Sequence, residues 1–293
     1  MTGLVLIDKP AGWTSHDVVN RWRKLAGTRR AGHLGTLDPM ATGLLALLTG
    51  PATRLAQFFS KAEKTYLAGI TFGVTSDSYD AEGTVVETGR LPPSDAALMV
   101  AALDRFRGRF LQIPPPVSAK KIKGVPAYKL ARKQIPVELA PVEVQVTHLE
   151  VKDISAASIA ILVTCSAGTY LRGIAHDLGQ QLGCGAILSS LRRLRVGEFT
   201  IDQAHTLDRL SVLASEGRLD QAIIPAANLL TQMPAEYFDS SGEAHIRQGR
   251  DFRTSPFTVP PGAPHVRALS QSGDLIAVGE LKMPNFYHPS TVL

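Results

Sequence analysis

Apolar residues in this chain recur in short runs separated by glycine- and proline-containing turns, and the period switches between helical and extended. Val18, Val19, Trp22 and Leu25 share one helical face, with Ser15 as the expected N-cap and Gly27 as the stop. Thr28 to Pro39 then reads as a loop. A helix is predicted from about Ala52 to Ala62, and a strand over Tyr66 to Val74, where apolar and polar positions alternate. Asp77 to Gly83 reads as a turn, Val85 and Val86 as a short strand, and Ser94 as the start of a helix. That helix would carry Leu98, Ala102, Leu103 and Phe106 on one side.

Pro114, Pro115 and Pro116 break the pattern, and the stretch from Lys120 to Lys133 reads as a long, irregular, cationic excursion. Val142, Val144 and Val146 alternate with polar residues, as in an exposed edge strand. Ile159 to Cys165 is apolar on both sides, as in a central one. A helix is predicted from near Thr169, with Leu171, Ile174, Ala175, Leu178 and Leu182 at helical spacing and Gly183 at its end. Strands and helices mix without a regular βαβ rhythm, so the fold class expected is α+β and not Rossmann-type. From Pro234 glycines, prolines and short apolar pairs dominate, as in a small β-rich module.

At 293 residues the chain has room for one large domain and an appendage, and 44% hydrophobic with 19% charged residues is a globular composition. The N-terminus is too briefly apolar for a secretory signal, and the longest apolar run, Ala96 to Leu103, is far too short for a bilayer. Cys165 and Cys184 lack metal-site spacing and read as buried thiols of a cytoplasmic protein. The net charge of +5 is bunched. Arg21, Arg23, Lys24, Arg29 and Arg30 form one cluster, and Lys120, Lys121, Lys123, Lys129, Arg132 and Lys133 another. Either alone fits a solvated face; together, flanking loops, they suggest two grips on a polyanion.

The chemistry concentrates in Gly32-His33-Leu34-Gly35-Thr36-Leu37-Asp38-Pro39. The proline forces Asp38 out of helical conformation and stiffens the unit that carries its carboxylate. A plain turn cap is the competing reading of Asp38. Tyr66 opens a strand from which an aromatic face could stack on a base, or simply join the core. With Thr169 as N-cap, Arg172 falls at N3, where a cation opposes the helix dipole and calls for an anion nearby. Phosphate-loop, dinucleotide, zinc-protease and serine-hydrolase motifs are absent, so ATP, nicotinamide or metal chemistry finds no support in the sequence.

Taken in order, these segments resemble the TruB-type tRNA pseudouridine synthases over nearly the whole chain. The matching stretches are Asp8-Lys9-Pro10, Gly32 to Pro39 with Ala41-Thr42-Gly43, Lys64-Thr65-Tyr66, Gly73 to Asp77 and Asp80 to Gly83. Gln112-Ile113-Pro114-Pro115 with Ser118-Ala119, Cys165 to Arg172, Asp177-Leu178-Gly179, Leu191 to Leu194 and Tyr287-His288-Pro289 complete them. The resemblance implies a mixed, mainly antiparallel central sheet flanked by helices, the pseudouridine synthase fold. It divides the chain into a catalytic domain, 1–233, with a thumb-like RNA-binding insertion at 112–141, and a PUA-like RNA-binding domain, 234–293.

The resemblance also implies isomerisation of uridine 55 in the tRNA T loop; no cofactor, metal, guide RNA or membrane is expected, and a monomer is the default. It makes Asp38 the essential carboxylate, Tyr66 the ring that stacks on the target base and Arg172 the ionic partner of Asp38. Leu191 becomes an apolar wall of the uracil pocket and His33 a contact to the substrate loop. Lys9, Gly35 and Thr36 are expected close to the substrate, and Arg29, Arg30, Lys120, Lys121 and Lys123 on the RNA backbone. Ser76 and Ser78 replace the threonines more usual in the family, and Tyr79 is bulkier than usual in its turn.

Burial would raise the pKa of Asp38 and Arg172 would oppose the rise, so an ionised carboxylate is expected at neutral pH. Whether it attacks C6 of the base, attacks C1′ of the ribose or removes a sugar proton stays open. Two rivals remain at this point. One is a retaining glycosidase, needing a second carboxyl about 5 Å away, with Asp77 or Asp80 as candidates. The other is a non-catalytic tRNA-binding or folding chaperone.

Overall fold

The computed structural model describes residues 1–116 and 139–293, together with two short paired strands, Lys121–Ile122 and Val125–Pro126. One large sheet organises the chain. From edge to edge its main strands are His205–Thr206, Gly3–Lys9, Thr42–Thr49, Ala186–Val196, Lys64–Phe72, Ser158–Cys165, Val142–Ile154 and Gly108–Gln112. Neighbours are antiparallel except His205–Thr206 with Gly3–Lys9, and Thr42–Thr49 with Ala186–Val196. The fold is α+β with a mixed, mainly antiparallel sheet.

Along Lys64–Phe72 the side chains alternate, sending Tyr66, Ala68, Ile70 and Phe72 into the core that underlies the helices. Strands Gly3–Lys9 and Thr42–Thr49 bury both faces. Val5, Ile7, Leu45 and Leu47 join that core, while Leu4, Leu6, Leu44, Ala46 and Leu48 form a second layer on the reverse side. Residues from the C-terminal end, Leu269, Leu275 and Val278, close this second layer. They belong to a five-stranded half-barrel ordered Ala235–Phe238, His265–Ser270, Leu275–Met283, Phe286–Val292, Phe252–Arg253, with its own small core around Ile246, Val266 and Tyr287.

Several expected elements shift. The first helix, Ser15–Leu25, is capped by Thr14, whose side chain accepts from the Asp17 N–H while Asp17 caps back. Ser15 is buried instead, and its hydroxyl both donates to the Leu37 carbonyl (3.0 Å) and accepts from the Leu37 N–H (2.8 Å). The predicted loop Thr28 to Pro39 contains a strand, Ala31–His33, paired with Thr49–Leu47. In place of one helix over Ala52 to Ala62, a 3₁₀ turn, Gly50–Leu55, runs into the short helix Ala56–Phe59. The helix expected from Ser94 spans Ala96–Asp104 with Asp95 as cap, and buries Met99 where Leu98 had been expected; Leu98 faces solvent.

Val142–Ile154 is not an edge, because Gly108–Gln112 pairs along its outer side. Val142 lies opposite Gln112, so residues 113–141 leave and re-enter the sheet at one point. Within that excursion the side chains of Lys120, Lys121, Lys123, Lys129, Arg132 and Lys133 lie outside the described residues. Both cysteines are buried and unpaired with each other.

The parallel step between Thr42–Thr49 and Ala186–Val196 requires a close backbone approach at Gly43. A Cβ there would sit 2.3 Å from the Arg193 carbonyl oxygen, and φ is +96°. Gly27 also has positive φ, +60°, but open space around it. We therefore expect Gly27→Ala to cost about 1–2 kcal/mol, the left-handed backbone term alone. Gly43→Ala should cost clearly more in urea melts. Equal losses would show that the sheet relaxes around position 43.

Candidate active site

A cavity of about 350 Å³ opens between the Asp38 loop, the strands Lys64–Phe72 and Ala186–Val196, and the segment Ala167 to Arg172. That is the size range of small-molecule sites. Among the described residues Asp38 is the only acidic one in its lining; Tyr66, Leu191, Gly35, Thr36 and Arg172 line it as well.

The loop is held from several directions. Ser15 fixes both backbone groups of Leu37. The Asp38 carbonyl accepts from the Ala41 N–H (3.1 Å), and the Pro39 carbonyl accepts from the Gly12 N–H (2.9 Å) and Lys9 Nζ (3.0 Å). From the opposite strand the buried Arg193 donates to the carbonyls of Gly35 (3.0 Å), Thr36 (3.4 Å) and Leu44 (2.7 Å).

Arg172 joins the loop to the rest of the site. Its helix spans Leu171–Gln181 with Tyr170 as N-cap, so Arg172 sits at N2 and not at N3 as the Thr169 cap had implied. The cation still lies in the first turn, where the helix dipole disfavours it. Two carboxylates compensate. Nε and Nη2 reach Asp38 at 3.1 and 3.4 Å, and Nη1 reaches Asp80 Oδ2 at 3.2 Å and the Ser78 carbonyl at 3.1 Å.

Asp80 is enclosed, with Oδ1 accepting from Ser78 Oγ (2.6 Å) and the Glu82 N–H (3.0 Å). The turn bearing it is fastened to the Arg172 helix by Tyr79, whose ring stacks on His176 at 3.8 Å. This accounts for the bulky residue at position 79. A serine at 76 keeps its hydroxyl in use as well, donating to the Asp80 carbonyl.

Burial raises the pKa of Asp38; Arg172 opposes the rise and Asp80 adds to it, with Lys9 a smaller opposing charge. Desolvation prevails, so the carboxylate protonates above its ordinary 3.8. Tyr66 is raised by burial too, with the nearby Arg193 charge opposing the rise. It is therefore a neutral phenol at physiological pH, able to present a ring face and an O–H together.

The remaining expected residues divide. Lys9 does not line the cavity: it is buried, donates to the carbonyls of Pro10, Trp13 and Pro39, and has its pKa lowered by burial to about 8. His33 stands outside the lining, with Nδ1 accepting from the Gly35 N–H, and burial lowers its pKa. Arg29 and Arg30 are exposed, beyond the first helix. Sequence reasoning passed over Arg193 and Lys64, which line the cavity, and Asp80 as a partner of Arg172. For Asp80 the signal was available, since one buried arginine facing a single carboxylate leaves donors to be satisfied.

The rival needing two carboxyls does not fit this geometry. Asp77 is exposed and occupied by the Thr84 N–H, and Asp80 lies outside the cavity lining behind Arg172. Fold and site together bring one carboxylate, paired with arginine, beside a buried tyrosine in a single cavity.

Comparison with known proteins agrees. Residues 23–171 match the N-terminal domain model of the TruB family pseudouridylate synthases, and residues 172–231 the C-terminal domain model of tRNA pseudouridylate synthase B. The chain is 50% identical over its full length, and the relative's full length, to a protein named tRNA pseudouridine synthase B from Solibacter usitatus (strain Ellin6076). It is 39% identical to a protein of the same name from Aquifex aeolicus (strain VF5), over 96% of both chains. A chain in a crystal structure of a Cbf5-Nop10-Gar1 complex superposes with a TM-score of 0.70 at 26% identity, covering 97% of this chain and 79% of that one. The chain belongs to the TruB family of pseudouridylate synthases.

Asp38 and Arg172 make opposite contributions to folding. A carboxylic acid whose folded pKa is raised favours the fold while protonated, and loses that advantage as pH rises from 3.8 through the raised value. At pH 7 its charge is thus a net cost, reduced by the 35% exposure of the side chain. Asp38→Asn should melt at the wild-type temperature or up to about 2 °C above it. Arg172→Ala strands the 3%-exposed Asp80 carboxylate and should lose about 3–5 kcal/mol. Thermal melts at pH 7 with the reverse ranking would contradict this electrostatic account.

Proposed function

We propose that the chain converts uridine 55 of the tRNA T loop to pseudouridine, flipping the nucleotide into the Asp38 cavity. The observation that carries this reading is the Asp38–Arg172 pair beside Tyr66 in a pocket with no second acid among the described residues. The shared name of the full-length relatives supplies the substrate. The enzyme acts as a cytoplasmic monomer and needs no guide RNA, cofactor or metal.

A stacked uridine hides its glycosidic bond, so extrusion costs a few kcal/mol. Stacking on Tyr66 returns about 1–3 kcal/mol of this. Leu191 and the surrounding apolar wall then keep water from the base and keep the detached uracil from escaping. Asp38 acts at C6, at C1′ or on a sugar proton, and each route requires its ionised form. Arg172 favours that form, and two further cations, Arg193 and Lys64, line the cavity. Isomerisation leaves the atom count and oxidation level of the nucleotide unchanged, so it consumes no co-reactant.

Purified protein mixed with an unmodified T-arm hairpin tritiated at uridine C5 should release tritium, and Asp38→Asn should release none while still binding. Binding without release by the wild type would instead establish an RNA-binding chaperone. Dependence of release on an added RNA would favour a guided enzyme. The acid limb of the rate should lie above pH 3.8, because desolvation raises Asp38. RNA affinity should fall steeply with salt as phosphate contacts release counterions. A flat salt response removes Arg29, Arg30 and the Lys120 to Lys133 stretch as the docking surface.

A further inference from the structure

We infer that Gln112 is a positioning residue, whose side-chain amide sets the start of the helix bearing Arg172 and so the aim of Arg172 at Asp38. Gln112 ends the outermost strand of the sheet and is buried, 1% exposed. Its Oε1 accepts from the Tyr170 N–H and its Nε2 donates to the Tyr170 carbonyl, both at 2.9 Å. One side chain thus holds both polar groups of a single residue, as a neighbouring strand would.

Tyr170 needs this support. As N-cap it makes no side-chain capping bond, and its carbonyl also accepts the first helical hydrogen bond, from Ile174. The segment before it is tied to the sheet at its beginning, where Ser166 exchanges hydrogen bonds with Gln145, and Thr169 folds back on Ser166 through its N–H (3.3 Å) and its hydroxyl (3.2 Å). Gln112 closes the other end, two residues before Arg172.

An independent observation supports the same contact. Gly173 follows Arg172 with ordinary helical backbone, so conformation does not demand glycine there. A Cβ at 173 would lie 2.8 Å from Gln112 Nε2 and 3.2 Å from its Cδ. The missing side chain leaves room for the amide. Ala167 to Arg172 also forms one wall of the cavity, so a shift at Tyr170 moves the wall and the guanidinium together.

The inference rests on the roles given above to Asp38 and Arg172, and its test separates the two. Single-turnover tritium release and hairpin affinity would be measured for wild type, Gln112→Met, Gln112→Ala, Gly173→Ala and the double variant Gln112→Ala/Gly173→Ala. No release by wild type would defeat the assigned reaction itself. With wild type active, we expect each single variant to slow turnover by about 100-fold, the scale of a 1 Å misplacement, with affinity within twofold.

The double variant should be no slower than Gln112→Ala alone, because both changes break one contact. The acid limb should move up in each variant as Arg172 withdraws, with Asp80, Glu82, Lys9 and Tyr66 still facing Asp38. Unchanged rates, multiplicative losses in the double variant, or an unmoved acid limb would overturn the inference. Should Gln112→Met fail to fold, the Gly173→Ala comparison decides the matter by the same criteria.

Discussion

A guanidinium shared between two carboxylates is the constraint on which this site is built. Arg172 is 7% exposed and lies at the positive end of its own helix, where burial and dipole both disfavour a cation. Asp38 alone does not resolve that situation, since its side chain faces the cavity and is one-third exposed. The second carboxylate, Asp80, is enclosed and supplies the permanent counter-charge. Arg172 is therefore anchored on one side and presents Nε and Nη2 to Asp38 on the other.

This division explains why the site draws on segments so distant in sequence. The sheet brings the Asp38 loop beside the Lys64–Phe72 strand by inserting Ala186–Val196 between Thr42–Thr49 and Lys64–Phe72. Arg193 then reaches under the loop to its carbonyls, and Tyr66 pairs with Arg193 across the strands. The reverse face of Gly3–Lys9 and Thr42–Thr49 is covered by the C-terminal half-barrel, so the strands that flank the loop are buried on both sides. Rigidity at Asp38 comes from layering beneath it as well as from the proline after it.

How much of this could be read from the chain follows from the range of each interaction. Alternation over Tyr66 to Val74 revealed most of the strand Lys64–Phe72, and the Asp-Pro unit marked a stiff carboxylate, because both signals are local. Thr42–Thr49 was passed over because a strand buried on both faces loses its alternation and reads as an unbroken apolar run. Ser15 looked like a cap because a serine before an apolar helical face usually is one; its actual partner, Leu37, lies 22 residues on. Arg193, Asp80 and Gln112 act through partners that only the fold supplies. The family motifs nevertheless enclosed all three, so resemblance located residues whose work local pattern could not describe.

The balance at Asp38 also bears on what would follow if a base entered the cavity, as proposed. Filling the cavity displaces water from the exposed third of the carboxylate, and this strengthens desolvation, the effect that already raises its pKa. The same loss of water strengthens the attraction to Arg172, because the effective dielectric between them falls. The two effects grow together only while the contact near 3.1 Å is kept. If the guanidinium were free to drift, desolvation would grow unopposed and the carboxylate would take up a proton, losing the charge that the proposed reaction uses. A site of this kind gains nothing from a mobile arginine, which is the physical reason for holding Arg172 by Asp80, the Ser78 carbonyl and the fixed end of its helix before any substrate arrives.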